Sequence, residues 1–269
     1  MNDIPLGKQS TYPDSYSTDL LVPIRRASSR EPLGIGGPLP FRGVDIWNAW
    51  ELTWLQPGGK PVTAVAELRI PADSESIVES KSLKLYLNGF AMTEYRSADE
   101  LAAVIEADVG QTVGAPVGLR LTVGEPDGAV IDSLPGECLD DLDVQCHDGT
   151  VDPTVLRASD DETVEETLYS HLLRSLCPVT NQPDFGSVLV AYVGPRIDRA
   201  ALLRYLVSFR QHNDFHEACV ERMFVEILAR CRCQQLTVSA RYNRRGGIDI
   251  NPWRSNTDNA PHNLRLWRQ

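Results

Sequence analysis

The order of elements occurs twice in this 269-residue chain, and that repeat limits the folds open to it more than any other feature. From the first third, Trp47 to Leu55 reads as a strand, Pro57-Gly58-Gly59-Lys60 as a turn and Val62 to Ile70 as the return strand. Helices follow over Lys81 to Leu87 and from Ser97 to about Ala107, the second with Leu101, Val104 and Ile105 on one face. Val117 to Val123 reads as a strand, with Ala129 to Ser133 as its partner across the Pro126-Asp127-Gly128 turn. The second half offers a strand pair around Ser187 to Val193 and a helix capped by Asp198. It continues with a helix capped by Asp214, then strands at Gln235 to Tyr242 and Ile248 to Trp253. An ungapped alignment of Phe90 with Phe209 also aligns Leu83 with Leu202, Tyr86 with Tyr205 and Leu87 with Leu206. Four shared apolar positions plus a shared order of elements favour an internal duplication.

The first forty residues, with the breaker cluster Gly34-Ile35-Gly36-Gly37-Pro38, read as an extended arm with little regular structure. Residues 135 to 162 are acidic and turn-rich and are expected to connect two modules, 41–150 and 151–269. One segment is ambiguous. Val164, Leu168, Leu172 and Leu176 recur at helical spacing, yet the run ends in a proline-flanked turn, and pairing with the strand at Ser187 makes it a hairpin arm.

A formal charge of −11 argues against nucleic acid as a general partner, because phosphate backbones select basic surfaces. No apolar run reaches membrane-spanning length, and the N-terminus lacks the basic and apolar regions of a secretion signal. Six irregularly spaced cysteines then suit a reducing, cytosolic compartment rather than a disulfide framework. Cys231 and Cys233 are the one close pair, and no further ligands at metal-site spacing accompany them, so no metal is expected.

Cys177 leads the candidates for chemistry. It opens the turn Cys177-Pro178-Val179-Thr180-Asn181-Gln182-Pro183, and a hairpin could return Asp184 toward its sulfur. A thiolate attacks electrophilic carbon, and a neighbouring acid can protonate the atom that gains charge. The bland alternative is a structural thiol beside a turn-forming aspartate. His216 and Glu217 open the helix after Asp214. Glu217 is either a capping partner or a carboxylate able to pair with the amidine-like N–H edge of a flat heterocycle. Glu79-Ser80-Lys81-Ser82-Leu83-Lys84 starts another helix, where free N–H groups and two lysines would suit a phosphate, or would simply be a solvated helix start. Arg244-Arg245-Gly246-Gly247 is a second phosphate cradle or a plain hairpin turn. Neither is the glycine fingerprint of a Rossmann fold.

Taken together, Glu79-Ser80-Lys81-Ser82-Leu83-Lys84-Leu85-Tyr86, the Cys177–Asp184 stretch, Phe215-His216-Glu217 and Arg241 to Trp253 resemble the signatures of 7-cyano-7-deazaguanine reductases, in family order. The opening Pro5-Leu6-Gly7 and Glu51-Leu52-Thr53-Trp54 agree. The lysine motif and the cysteine lie in different halves, as in the long, bimodular branch. The resemblance implies an α+β tunnelling fold of two tandem ββααββ modules, with antiparallel sheets, helices on one face and ligands bound where modules meet. It implies a homodimer, no tRNA contact, and NADPH-driven reduction of a deazapurine nitrile to the primary amine in queuosine biosynthesis. Carried over by residue, Cys177 forms a thioimide and Asp184 supplies the proton. Val78, Glu79, Ser80, His216 and Glu217 contact substrate, and Ser80, Lys81, Arg245 and Gly246 contact NADPH. It also turns the ambiguous segment before Cys177 into a strand. A metal-dependent tunnelling-fold cyclohydrolase and a non-catalytic ligand-binding module remain open alternatives, to be separated by a zinc assay and by NADPH oxidation with the nitrile.

Overall fold

The computed structural model describes residues 15–125, 128, 130–146 and 149–269, so the opening Pro5-Leu6-Gly7 motif and most of the 126–129 turn lie outside the described residues. The chain folds as an α+β structure. Strand β1 (Pro23–Arg25) and helix α1 (Ala27–Arg30) belong to the arm. They are followed by β2 (Arg42–Leu55), β3 (Pro61–Pro71), β4 (Ser76–Val78), α2 (Ser80–Asn88), α3 (Ala98–Val113) and β5 (Gly118–Val123). The connection carries β6 (Glu137–Cys138), and the second half carries β7 (Ala158–Leu176), β8 (Pro183–Ile197), α4 (Arg199–Ser208), α5 (His216–Cys231), β9 (Gln235–Tyr242) and β10 (Ile248–Ser255). Eight strands form one sheet in the order β5-β3-β2-β10-β9-β8-β7-β6, and β1 pairs with β4 separately.

The halves meet where β10 pairs antiparallel with β2, Ile250 opposite Trp47 and Arg254 opposite Gly43. Because side chains alternate across a strand, this register puts Asp45, Trp47, Ile248, Ile250 and Arg254 on one face. That face carries the helices. Leu83, Tyr86, Phe90, Leu101 and Ile105 bury one core with Trp47 and Ile250. Leu202, Tyr205, Leu206, Phe209, Val220 and Phe224 bury a second with Leu236, Val238 and Ala240 of β9. The aligned repeat positions are equivalent in three dimensions too. Tyr86 donates to Asp108 at 2.6 Å, and Tyr205 donates to Glu226 at 2.5 Å, each carboxylate lying on the following helix.

Two expectations change, and one ambiguous segment resolves as the expected hairpin arm. The first half does not close with a fifth-and-sixth strand hairpin: Asp132 bridges to Leu266, and β6 crosses to pair in parallel with β7. Among the described residues this half therefore contributes β2, β3 and β5 to the large sheet, with β4 apart from it, and β10 of the second half occupies the place beside β2. The arm is not structureless, since it holds β1 and α1 and buries Arg26 and Arg30. The run before Cys177 is a strand through Leu176. A spacing of four is an even number, so it also marks one side of a strand. A bulge between Ser170 and Leu173 then shifts the parity, leaving Leu168 and Leu173 buried and Leu172 exposed.

Candidate active site

That bulge aims the catalytic candidates. Beyond it Ser175 lies opposite Asp184 on the helix-bearing face, and the chain passes directly into the turn that carries Cys177. The turn is held by Cys177 N–H donating to Gln182 O at 2.9 Å and Asn181 N–H donating to Cys177 O at 3.0 Å. Asn181 takes a left-handed φ of 57°, which asparagine tolerates better than most residues. The segment 212–214 runs alongside, with Leu176 N–H donating to His212 O at 2.8 Å, and so brings the start of α5 to the turn.

A cleft of about 390 Å³ opens between this turn, the start of α5 and the start of α2. Val78, Glu79, Ser80, Cys177, Asp184, His216, Glu217 and Arg245 all line it. Lys81 stands one residue outside, exposed on the first turn of α2, and Gly246 lines an adjoining cavity with Lys84. Sequence reasoning missed the apolar floor and walls, Trp47, Ile77, Phe215 and Ile250. These look like ordinary strand or helix-start residues, and only the β2–β10 pairing gives two of them a common surface.

Arg245 joins the reactive groups. Its Nε lies 2.8 Å from Asp184 Oδ1, its Nη2 donates to Asp184 Oδ2 at 3.4 Å, and its Nη1 donates to Gln182 Oε1 at 2.5 Å. Burial pushes the Cys177 thiol up, but hydrogen bonds to the sulfur from Thr180, the Val179 and Thr180 amides and Arg245 outweigh it, so its pKa falls below that of an ordinary thiol. His216 stacks on Tyr242 with ring centroids 3.7 Å apart and 9° between planes, and its Nε2 is 3.3 Å from Asp184 Oδ2.

The two helix starts depart from their sequence readings. Glu79 caps α2 with its own carboxylate, accepting from Lys81 N–H at 2.9 Å and Ser82 N–H at 2.7 Å, so those amides are not open to a phosphate. At α5 the N-cap position falls to Phe215, without a side-chain cap. Asp214 accepts only from Phe215 N–H, at 2.9 Å. Glu217 does not serve as a capping partner. It is 3% exposed, and its Oε1 has no hydrogen-bond partner among the described residues. Burial, then the negative charge of Asp45, raise its pKa to about 8. A buried acceptor without a donor is costly unless a ligand completes it.

A family model described as "Nitrile reductase, 7-cyano-7-deazaguanine-reductase N-term" matches residues 12–121, and one described as "QueF-like protein" matches residues 183–261. A protein of Chromohalobacter salexigens named NADPH-dependent 7-cyano-7-deazaguanine reductase is 53% identical over 267 residues, covering 98% of this chain and 96% of its own. This chain belongs to the 7-cyano-7-deazaguanine reductase family. Relatives of the same name from Burkholderia mallei and Burkholderia multivorans are 53% and 52% identical over 268 residues, covering 98% of both chains in each case. Each family signature falls on a wall of the cleft: the lysine motif at α2, the cysteine turn, the start of α5, and the arginine–glycine turn between β9 and β10. Among the described residues no group of three or more His, Cys, Asp or Glu could hold a metal, and no helix is long and apolar enough to cross a membrane.

Proposed function

We propose that this chain is a cytosolic, homodimeric NADPH-dependent reductase that converts the nitrile of 7-cyano-7-deazaguanine to the primary aminomethyl group, for queuosine biosynthesis. We read its two halves, 41–150 and 151–269, as tandem tunnelling-fold modules, with ligands bound where they meet. One observation carries the reading: a turn cysteine of lowered pKa, a buried aspartate and the arginine joining them share a cleft with a buried carboxylate that lacks a donor.

Glu217 suits the substrate's N–H edge, since a carboxylate accepts two parallel bonds from an amidine-like group. The apolar floor of Trp47 and Ile250 suits the faces of a flat heterocycle. Val78, Glu79, Ser80 and His216 complete the substrate walls. With the ring so held, Cys177 Sγ adds to the nitrile carbon. One S–C bond forms and one C–N π bond opens, while Asp184 takes the thiol proton and returns it to nitrogen, giving a thioimide.

The residues beside the cleft fit the cofactor. On a chain of net charge −11, Arg245 lines the cleft, Lys84 lines the adjoining cavity with Gly246, and Lys81 stands exposed one residue outside the cleft. Burial and then the Arg245 charge depress the Lys84 pKa, outweighing the opposite pull of Glu79, Asp184 and Cys177. Gly246 has φ 59°, and a Cβ there would press Lys84 Cδ at 3.3 Å. Ser80, Lys81, Arg245 and Gly246 would therefore hold NADPH, which supplies hydride, two equivalents per nitrile. The enclosing walls keep water from the half-reduced product, which hydrolyses readily in solution.

Intact-protein mass spectrometry with the nitrile and without NADPH tests the reading. The expected result is a mass increase equal to the whole substrate in the wild type and none in Cys177→Ala. An unmodified wild-type mass at saturating nitrile refutes the covalent route.

A further inference from the structure

Behind Glu217, on the side away from the cleft, lies a buried charge cluster that the reaction above does not use. Arg254 donates to Asp45 Oδ1 at 2.7 Å and to Glu221 Oε1 at 2.8 Å. Arg30 grips Glu221 with two bonds of 2.8 Å. Arg26 donates to Asp45 Oδ2 at 2.7 Å and to Ser74 Oγ at 3.1 Å. The cluster thus contains three guanidinium groups and two carboxylates, all buried. An unbalanced charge in such a place is expensive, and a third carboxylate is needed to cancel it.

The geometry supplies one. Arg26 Nη1 is buried without a hydrogen-bond partner among the described residues; its contact with Glu221 Oε1 is 3.9 Å, too long for a hydrogen bond. Glu217 Oε1 is the buried acceptor without a donor. Arg26 and Glu217 line the same small pocket, with Ile77, Phe215 and Ala218, between the arm and α5. Its free space, about 10 Å³, leaves room for at most one bridging water, or for a modest swing of either side chain.

We propose that Arg26 is the counter-ion of Glu217, favouring ionisation of that carboxylate so that it can accept the amidine-like edge of the substrate, and is thereby a positioning residue. This deepens the reductase reading and rests on it. A protonated carboxyl would turn one acceptor into a donor and face the substrate's N–H groups with the wrong partner. The charged groups around Glu217 act in opposing directions. Asp45 on β2 opposes ionisation, while Arg26 on the arm and Arg254 on β10 favour it. On the cleft side, Glu79, Asp184, Asp214, His216 and Arg245 complete the charged surroundings. Arg254 is already spent on two carboxylates, whereas Arg26 keeps one donor in reserve.

The test compares Arg26→Gln, Arg26→Met and Arg26→Lys with Arg30→Met, a change in the same cluster away from Glu217. Thermal melts and circular dichroism verify folding, and the two neutral replacements guard against the failure of one. Steady-state rates with the nitrile are followed between about pH 6 and 9. The neutral variants are expected to raise KM for the nitrile about tenfold at neutral pH, with kcat within about twofold. They move the ascending limb of kcat/KM up by about one pH unit, the equivalent of that factor. Arg26→Lys restores most of both, and Arg30→Met leaves the limb in place. Folded neutral variants with wild-type KM and limb overturn the proposal, as does an equal limb shift in Arg30→Met. A wild type that does not turn over the nitrile refutes the reductase reading itself, a separate outcome.

Discussion

Replacing Asp184 with asparagine separates the chemistry of the site from its architecture. The carboxylate is 5% exposed, and asparagine has nearly the same shape. The amide oxygen can still accept from Arg245 Nε, which now stands 2.8 Å from Asp184 Oδ1. Two quantities change: the negative charge and the ability to carry a proton. Losing one partner of a fully buried pair costs about 3–5 kcal/mol. The Arg245 side chain is 27% exposed, however, so water and the Gln182 side chain take over part of its solvation. The structural cost then falls to about 1–2 kcal/mol, near that of a weakened charge-assisted hydrogen bond. In a chain of this size that lowers Tm by roughly 2–8 °C. Losing a positioned proton carrier removes about 10²–10⁴ in rate, or roughly 3–5 kcal/mol of barrier. Asp184→Asn should therefore melt within a few degrees of the wild type while kcat for nitrile-dependent NADPH oxidation falls at least a hundredfold. A folded Asp184→Asn enzyme retaining more than about a fifth of wild-type kcat refutes the proton-transfer role, a drop far short of the general acid–base range.

Alkylation by iodoacetamide should persist at Cys177 below the pH at which a free thiol reacts, because its folded-state pKa is lowered, and Arg245→Leu should move that limb upward; peptide mapping across a pH series reads both. In the same experiment Cys219, Cys231 and Cys233 should stay unlabelled in the native state, since all three are buried and burial raises their pKa values, to about 11 for Cys231 and about 12 for Cys233. Burial raises the pKa values of Asp45 and Glu221, but their arginines outweigh it and hold both below the ordinary carboxylate range. Their stabilisation is thus present above the unfolded pKa of about 4 and is lost as pH falls through the folded values, so circular dichroism should show acid unfolding begin below about pH 4. Glu221→Gln leaves two buried guanidinium groups short of charge and should cost about 3–5 kcal/mol, lowering Tm by roughly 6–20 °C in a thermal melt.

Local chemistry alone determined much of this protein. Asp198 caps α4 by accepting from Ala201 N–H at 2.9 Å, and Ser97 caps α3 by accepting from Glu100 N–H at 3.1 Å, both as their spacing indicates. The shared positions of the repeat, Leu83 with Leu202 and Phe90 with Phe209, are buried in both halves because each helix pair must cover its own part of the sheet. The proline-flanked turn puts Cys177 seven residues before Asp184, and both line one cleft. What these features share is short range: a cap, a turn or a helix stripe involves residues within one or two turns of one another. Tertiary structure decided the rest. Helix and strand share the four-residue spacing before Cys177, and only pairing with β8, through a bulge, resolves it. The missing strand of the first half is replaced by β10, from more than a hundred residues away in the chain. Arg26 is an unremarkable arginine in a proline- and glycine-rich arm until folding carries it to Asp45 and to the cavity it shares with Glu217. A buried charge has meaning only through the groups that surround it, and those come from β2, β10 and α5, which no local pattern brings together.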